Sequence, residues 1–306
     1  MHISLRGYAT AVISELTGDQ IGRRVADDLT AVAHLVSRTN ALALVMTDFT
    51  VPVPARKAVL DDLLRSRVHP AALRLALRSV ESERAEELPT SLHELYELAL
   101  HLDALGPAEL LAEEPIATRG RWRDFASGYA SAVFEEVADT SELEEIEDEI
   151  FHFARIVESH PSLRSALSDP TRPIEDRAKL VNGLLEGKVR PATLRIVQIS
   201  LQGRVRDVVG ALDWLAERAA SARGWRVARV HTARPVDDTE HASLAEAMRW
   251  ITGYPVELHI SEDPDLLGGA VIEVGDLFVD ASASHRLEIL EEHLLGHEGA
   301  TTGAAH

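Results

Sequence analysis

Shifted by 121 positions, this chain matches itself. Gly7-Tyr8-Ala9 falls on Gly128-Tyr129-Ala130, Ala11-Val12 on Ala132-Val133, and Glu15 on Glu136. Asp48-x-Thr50-x-Pro52 falls on Asp169-x-Thr171-x-Pro173, Arg56 on Arg177, and Leu63-Leu64 on Leu184-Leu185. Val68-x-Pro70-Ala71-x-Leu73-Arg74 falls on Val189-x-Pro191-Ala192-x-Leu194-Arg195. Between Gly7 and Arg74 there are 21 identities in 68 ungapped pairs, where ordinary composition gives roughly four or five by chance. One module is present twice, and any fold must accommodate both copies.

The module reads as helices. Aromatic residues make up only 5% of the 306-residue chain, and the abundant Ala and Leu lose little rotamer freedom in a helix. In the second copy, Phe125, Tyr129, Ala132, Val133 and Val137 form one apolar stripe of helical period, and Ile146, Ile150, Phe153, Ile156 and Val157 form another. Thr140-Ser141 reads as the cap of that second helix. His160-Pro161 ends it, since proline lacks the N–H and clashes with the preceding turn. A short helix over 163–167, a turn at Ser168 to Pro173, and helices over 174–185, from Pro191, and over 204–222 complete the copy. The first copy repeats this order, with Pro52, Pro54 and Pro70 at matching places and a last helix near 92–102 after Pro89.

From Trp225 the pattern changes. Strands are expected at 227–232 and 254–260, with a helix over 239–251 between them ended by Gly253. A turn at Leu267-Gly268-Gly269 leads into a hairpin, 270–274 and 277–280, around Gly275-Asp276, and a final helix runs over 282–295. The fold class is mainly α: two tandem six-helix-type bundles followed by a small α/β domain. The expected division is 1–104, a linker 105–120, 121–224, 225–295, and a disordered tail 296–306.

Net charge is −19, which repels nucleic acid and anionic lipid and favours basic protein surfaces. The chain has no cysteine, so disulfides, thiolate metal sites and cysteine nucleophiles are excluded. It has no run of 18 apolar residues, and its first residues lack the charged and apolar stretches of a secretion signal.

Three motifs invite a chemical reading. Glu149-x-x-His152 has the spacing of a di-iron bundle, but the matching positions of the first copy are Asp28 and Ala31, so half of the ligand set is missing. No metal site is expected, and His152 reads as a surface or partly buried residue. Gly268-Gly269 has no following Gly-Lys-Ser/Thr and reads as a turn. Ser282-Ala283-Ser284-His285 lacks an orienting third group, and Ser282 reads as a helix cap. No catalytic residue and no cofactor are expected. Six carboxylates among the eight residues Glu142 to Glu149 read as a solvated helix face, with docking of a basic helix as the alternative.

The segment Asp263-Pro264-Asp265-Leu266-Leu267-Gly268-Gly269, with Ala270 to Val274, Gly275-Asp276, Leu277 to Asp280, Ser282 and Arg286-Leu287, resembles the C-terminal signature of a known family. That family is the delta subunit of F-type ATP synthases, the oligomycin-sensitivity-conferral protein family. Gly128-Tyr129-Ala130 with Ala132-Val133 is similar to its opening helix. The likeness spans 122–295, with two departures: Ala281 stands where the family usually has Gly, and the helical domain is doubled, as in the actinobacterial branch. Some members of that branch are fused to a subunit b segment with a membrane helix, which this sequence lacks.

The resemblance implies a non-catalytic peripheral-stalk subunit of a proton-translocating ATP synthase, at the cytoplasmic face of the plasma membrane. Its implied partners are the N-terminal helix of a head alpha subunit and the subunit b stalk. It also implies that the alpha helix lies in a groove between the first and fifth helices, which places Tyr129, Val133, Leu194, Val197 and Leu201 as candidate groove residues. The first copy reads as a second groove or, because Glu144 and Glu145 correspond to Arg23 and Arg24, as a brace along subunit b. The alternative to the whole reading is a generic helical scaffold unrelated to ATP synthase.

Overall fold

The computed structural model describes residues 1–287 apart from 17–19, 49, 106–118, 138–139, 203–206, 254, 275–276 and 286. The linker, the Gly275-Asp276 turn, most of the 282–295 helix and the 296–306 tail therefore lie outside the described residues. The chain divides into two compact units, Met1–Ala219 and a second from Ala220.

The first unit is helical and contains both copies. In the first copy these are α1 (Ile3–Ser14), α2 (Ile21–Arg38), α3 (Asn40–Thr47), α4 (Val53–Leu64), α5 (Pro70–Ser82) and α6 (Leu88–Leu105). The second copy supplies α7 (Arg119–Glu136), α8 (Thr140–Ser159), α9 (Pro161–Ser168), α10 (Ile174–Leu185), α11 (Pro191–Ile199) and α12 (Val208–Ala222), whose last turn belongs to the second unit. Prolines set the starts: Pro54, Pro70, Pro161 and Pro191 stand in first turns, where a missing N–H loses no helix bond. α6 begins at Leu88, so Pro89 lies inside its first turn. The apolar stripes face inward, Val25, Leu29, Val32 and Val36 on α2 and Leu143, Ile146, Ile150, Phe153 and Val157 on α8.

The repeated Asp-x-Thr-x-Pro motif is a local brace. Asp48 Oδ1 accepts from the Thr50 N–H at 2.8 Å and its hydroxyl at 2.7 Å. Asp169 does the same with Thr171 at 2.9 and 2.7 Å. Two residues later, Pro52 and Pro173 are the N-caps of α4 and α10. Arg56 and Arg177 then reach back to the carbonyls of Met46 and Leu167 at 3.1 and 3.3 Å. The hydrogen bonds from Thr50 and Thr171 hold both aspartates below the usual carboxylate range.

The repeated glycines lie where the two copies meet. α1 and α7, the duplicate opening helices, pack on each other. A Cβ at Gly7 would stand 2.0 Å from the Phe125 carbonyl oxygen, and a Cβ at Gly128 would stand 1.8 Å from that of Ser4. Phe125 is the copy of Ser4, offset by 121, so the two contacts exchange under the repeat. The copies are related by an approximate two-fold axis through the α1–α7 crossing, as in an isologous dimer. Every residue from Gly7 to Ile13 is buried, as in a helix enclosed on all sides.

The second unit is a four-stranded sheet with order β2-β1-β3-β4, from β1 (Arg226–Thr232), β2 (Val256–Glu262), β3 (Ala270–Val274) and β4 (Leu277–Asp280). β1 and β2 are parallel, joined through α13 (Asp238–Thr252), and β3 and β4 form an antiparallel hairpin beside β1. Asp237 and Glu240 form a capping box at the start of α13, and Gly253, at φ 74°, ends it. Met248, Leu244 and Ala245 of α13 pack on Ala228, Val230, Val256, Leu258, Ile272 and Val274. In the Leu267-Gly268-Gly269 turn, Gly269 has φ +82° and a Cβ there would meet the Ala281 carbonyl at 2.3 Å, so glycine is required. Ala281 itself has no positive φ, and the turn accepts its methyl group.

Two outcomes follow from this packing. Gly128→Ala should destabilise the helical unit by about 1–3 kcal/mol through overpacking, although alanine gains about 1 kcal/mol in helix propensity. Gly183→Ala in α10, where a Cβ meets nothing within 4 Å, should instead raise the urea midpoint followed by far-UV circular dichroism. Because Asp48 and Asp169 have depressed pKa values in the folded chain, their contribution is present above the unfolded value, about 3.9, and is lost as pH falls through the folded value. Asp48→Asn with Asp169→Asn should therefore flatten the loss of stability below about pH 4 in the same urea assay.

Candidate helix-binding surface

The five groove residues read from the sequence lie on or beside α7 and α11, which pack together. Tyr129 is 2% exposed, and Val133, Val197 and Leu201 are fully buried. Leu194 is half-buried. α11 ends at Ile199, so Leu201 sits in the following turn, its N–H donating to the Gln198 carbonyl at 3.1 Å. Trp122 joins the two helices from the other end, its Nε1–H donating to the Ile199 carbonyl at 3.0 Å while its ring packs on Trp214.

The Tyr129 end of this surface is covered by the chain's own α1. Arg195 of α11 reaches across α7 and donates to the Ala11 carbonyl of α1 at 3.0 Å. It also pairs with Glu136 at 2.9 Å and with Glu15. Its guanidinium lies 5.8 Å from the Tyr129 ring centre. The repeat-related set mirrors these contacts: Arg74 donates to the Ala132 carbonyl at 3.1 Å, pairs with Glu136 at 3.0 Å, and lies 5.7 Å from the Tyr8 ring centre. Arg78 stacks on the same ring at 5.0 Å. Tyr8 donates its hydroxyl to Glu135 at 2.6 Å.

These groups titrate as parts of a closed contact. Burial pushes the Tyr8 phenol up to about 12, and the Glu135 hydrogen bond adds to it. Burial likewise raises Tyr129. Burial also raises Glu15, outweighing the attraction of Arg195. For Arg195 burial opposes the charge, but Tyr129, Glu136 and Glu15 more than offset it and keep the guanidinium protonated. The cross-copy roles of Arg74, Arg195, Glu15 and Glu136 were not read from the sequence. All four stand among the repeat identities, which is the signal that marks them.

The other motifs resolve into structural roles. Glu149 accepts the Arg190 N–H at 3.1 Å and the Thr193 hydroxyl, holding the start of α11. Its counterpart Asp28 accepts the His69 N–H at 2.7 Å at the start of α5. His152 is exposed, with Nδ1 2.7 Å from its own helix's Asp148 carbonyl. No group of three or more potential metal ligands occurs among the described residues. The acidic run is not uniformly solvated: Arg190 gathers Glu142, Glu145 and Glu149, and Glu147 is buried. Ser282 caps as expected, accepting from the His285 N–H at 3.2 Å. In the second unit, a cavity of about 550 Å³ opens beside the glycine turn, among Val236, Leu244, Leu267 and Gly269. Leu267 is 78% and Phe278 61% exposed.

Comparison with known proteins agrees with this architecture. Residues 125–294 match the family model described as ATP synthase delta (OSCP) subunit. An ATP synthase subunit delta of Frankia alni is 35% identical over 89% of this chain and 87% of that protein. Those of Salinispora arenicola and a Nocardioides species are 33% and 30% identical, over 86% and 96% of this chain and 85% and 98% of theirs. These matches run through both helical copies and the α/β unit, so a generic scaffold is set aside: the chain belongs to the ATP synthase delta (OSCP) subunit family.

Proposed function

We propose that this chain is a non-catalytic stator subunit of a proton-translocating F-type ATP synthase. It holds the catalytic head still against the torque of the central stalk, so that rotation is coupled to ATP synthesis. Membership of the delta (OSCP) family over nearly the whole chain carries this reading. Its partners are the N-terminal helix of an alpha subunit and the subunit b stalk. It sits at the cytoplasmic face of the plasma membrane and is attached through the complex; no described helix is long and apolar enough to cross a membrane.

A stator must resist lateral load without being pulled apart. The packing of both copies around one crossing supports that task, since a unit with a continuous core transmits strain where two tethered bundles would yield. The α/β unit supplies a separate attachment, and several simultaneous contacts raise avidity without a single tight site. We assign the subunit b contact to the α/β unit, which exposes the large apolar side chains of Trp250, Leu267 and Phe278. The first copy serves as the brace, because its outer electrostatics differ from those of the second: Arg23 and Arg24 stand where the second copy has Glu144 and Glu145.

In inverted membrane vesicles whose synthase has been stripped of this chain, ATP hydrolysis should persist while ATP-driven proton pumping is lost, and adding the purified chain should restore pumping. Restored or unimpaired pumping without the chain would refute the stator role. Leu267→Asp with Phe278→Asp should leave folding intact and weaken binding to a soluble subunit b segment about tenfold, near 1.4 kcal/mol, by titration calorimetry.

A further inference from the structure

The cavity of the α/β unit lies between the end of β1, the start of α13 and the glycine turn, with a volume of about 550 Å³. Ala233, Val236, Leu244, Leu267 and Ala281 supply apolar wall. Thr232 lines it too. That residue is 5% exposed, and its hydroxyl has no hydrogen-bond partner among the described residues. A hydroxyl withdrawn from water without a partner is unfavourable, so such a group at a cavity wall marks where a partner group arrives.

The rest of the lining limits what enters. The Gly268 and Ala270 carbonyls accept the N–H groups of Ala283 and Ala281 at 2.8 and 2.9 Å, and the Thr232 carbonyl accepts that of Asp263 at 2.8 Å. The charged residues of the lining, Arg234 and Glu240, are paired with each other through both guanidinium nitrogens. The site therefore suits an uncharged, apolar group with one hydrogen-bond acceptor beside it. At the rim Leu267 is exposed, so the apolar wall continues onto the outer surface assigned above to subunit b.

We propose that this cavity is the anchor site of the subunit b contact. An apolar side chain of the stalk helix enters between Val236, Leu244 and Leu267, and a carbonyl beside it accepts a hydrogen bond from the Thr232 hydroxyl. That carbonyl belongs to the last turn of a helix or to a side-chain amide, because carbonyls inside a helix are already bonded. A side chain buried in a pocket in this way carries much of an interface's binding energy. The inference rests on the subunit b assignment and names the residues that carry it.

Titration calorimetry of the full-length chain with a soluble subunit b segment tests it, beside thermal unfolding of the free chain. Thr232→Val keeps the shape and removes the hydroxyl. It should weaken binding roughly fivefold, the loss of one net hydrogen bond, and leave the melting temperature of the free chain unchanged or higher. Val236→Trp should fill the cavity, leave the far-UV circular dichroism unchanged and weaken binding about tenfold or more. Wild-type affinity in both variants would overturn the proposal. So would a lower melting temperature for Thr232→Val, which would mean that the hydroxyl already has a partner within the chain. An unsubstituted chain that does not bind the segment would refute the subunit b assignment and the anchor with it, whereas binding that ignores both substitutions would refute the anchor alone.

Discussion

Two glycines, 121 positions apart, let the backbones of α1 and α7 approach until no side chain fits between them. Most of the helical unit depends on that approach. A larger residue at either position would push the helices apart and withdraw Arg195 from the Ala11 carbonyl and Arg74 from the Ala132 carbonyl. Tyr8 and Tyr129 would then lose the guanidinium groups that cover their rings. Because the contact is two-fold, each favourable group acts in two places, and one requirement, a missing Cβ, is imposed on both copies.

Around that crossing, the repeat conserves devices that start helices. Asp48 and Asp169 fold the turn before α4 and α10, while Asp28 and Glu149 accept the N–H groups that precede α5 and α11. Asp28 and Glu149 each satisfy an N-cap donor that the helix cannot satisfy itself. Identities in the repeat therefore include residues that begin helices and residues that join the copies, beside core residues such as Val36 and Val157 or Leu64 and Leu185.

Much of this was legible from residue order. Helix starts at Val53, Pro70, Ile174 and Pro191 follow from proline and turn chemistry, and the sheet follows from alternation bounded by Gly253 and Gly269. The direction in which each apolar stripe faces was not legible. Tyr129 and Val133 have the period of a helix face whether that face meets a partner, a neighbouring helix or the other copy, since periodicity records burial and not the identity of the neighbour. The acidic run is largely solvated, as its charge density suggests, but its pairing was not legible: Arg190, far away in sequence, gathers three of its carboxylates. Pairings made across the fold leave no mark in local composition.

The tandem arrangement has a consequence for symmetry. Two identical protomers sharing such an axis would have to carry the same residue on both flanks. Joined in one polypeptide, the halves differ: Ser14 stands opposite Glu135 in the alignment, Arg23 opposite Glu144, and His69 opposite Arg190. The molecule thus keeps the geometry of a dimer while offering a single, handed exterior, and it assembles independently of dilution because neither half can leave.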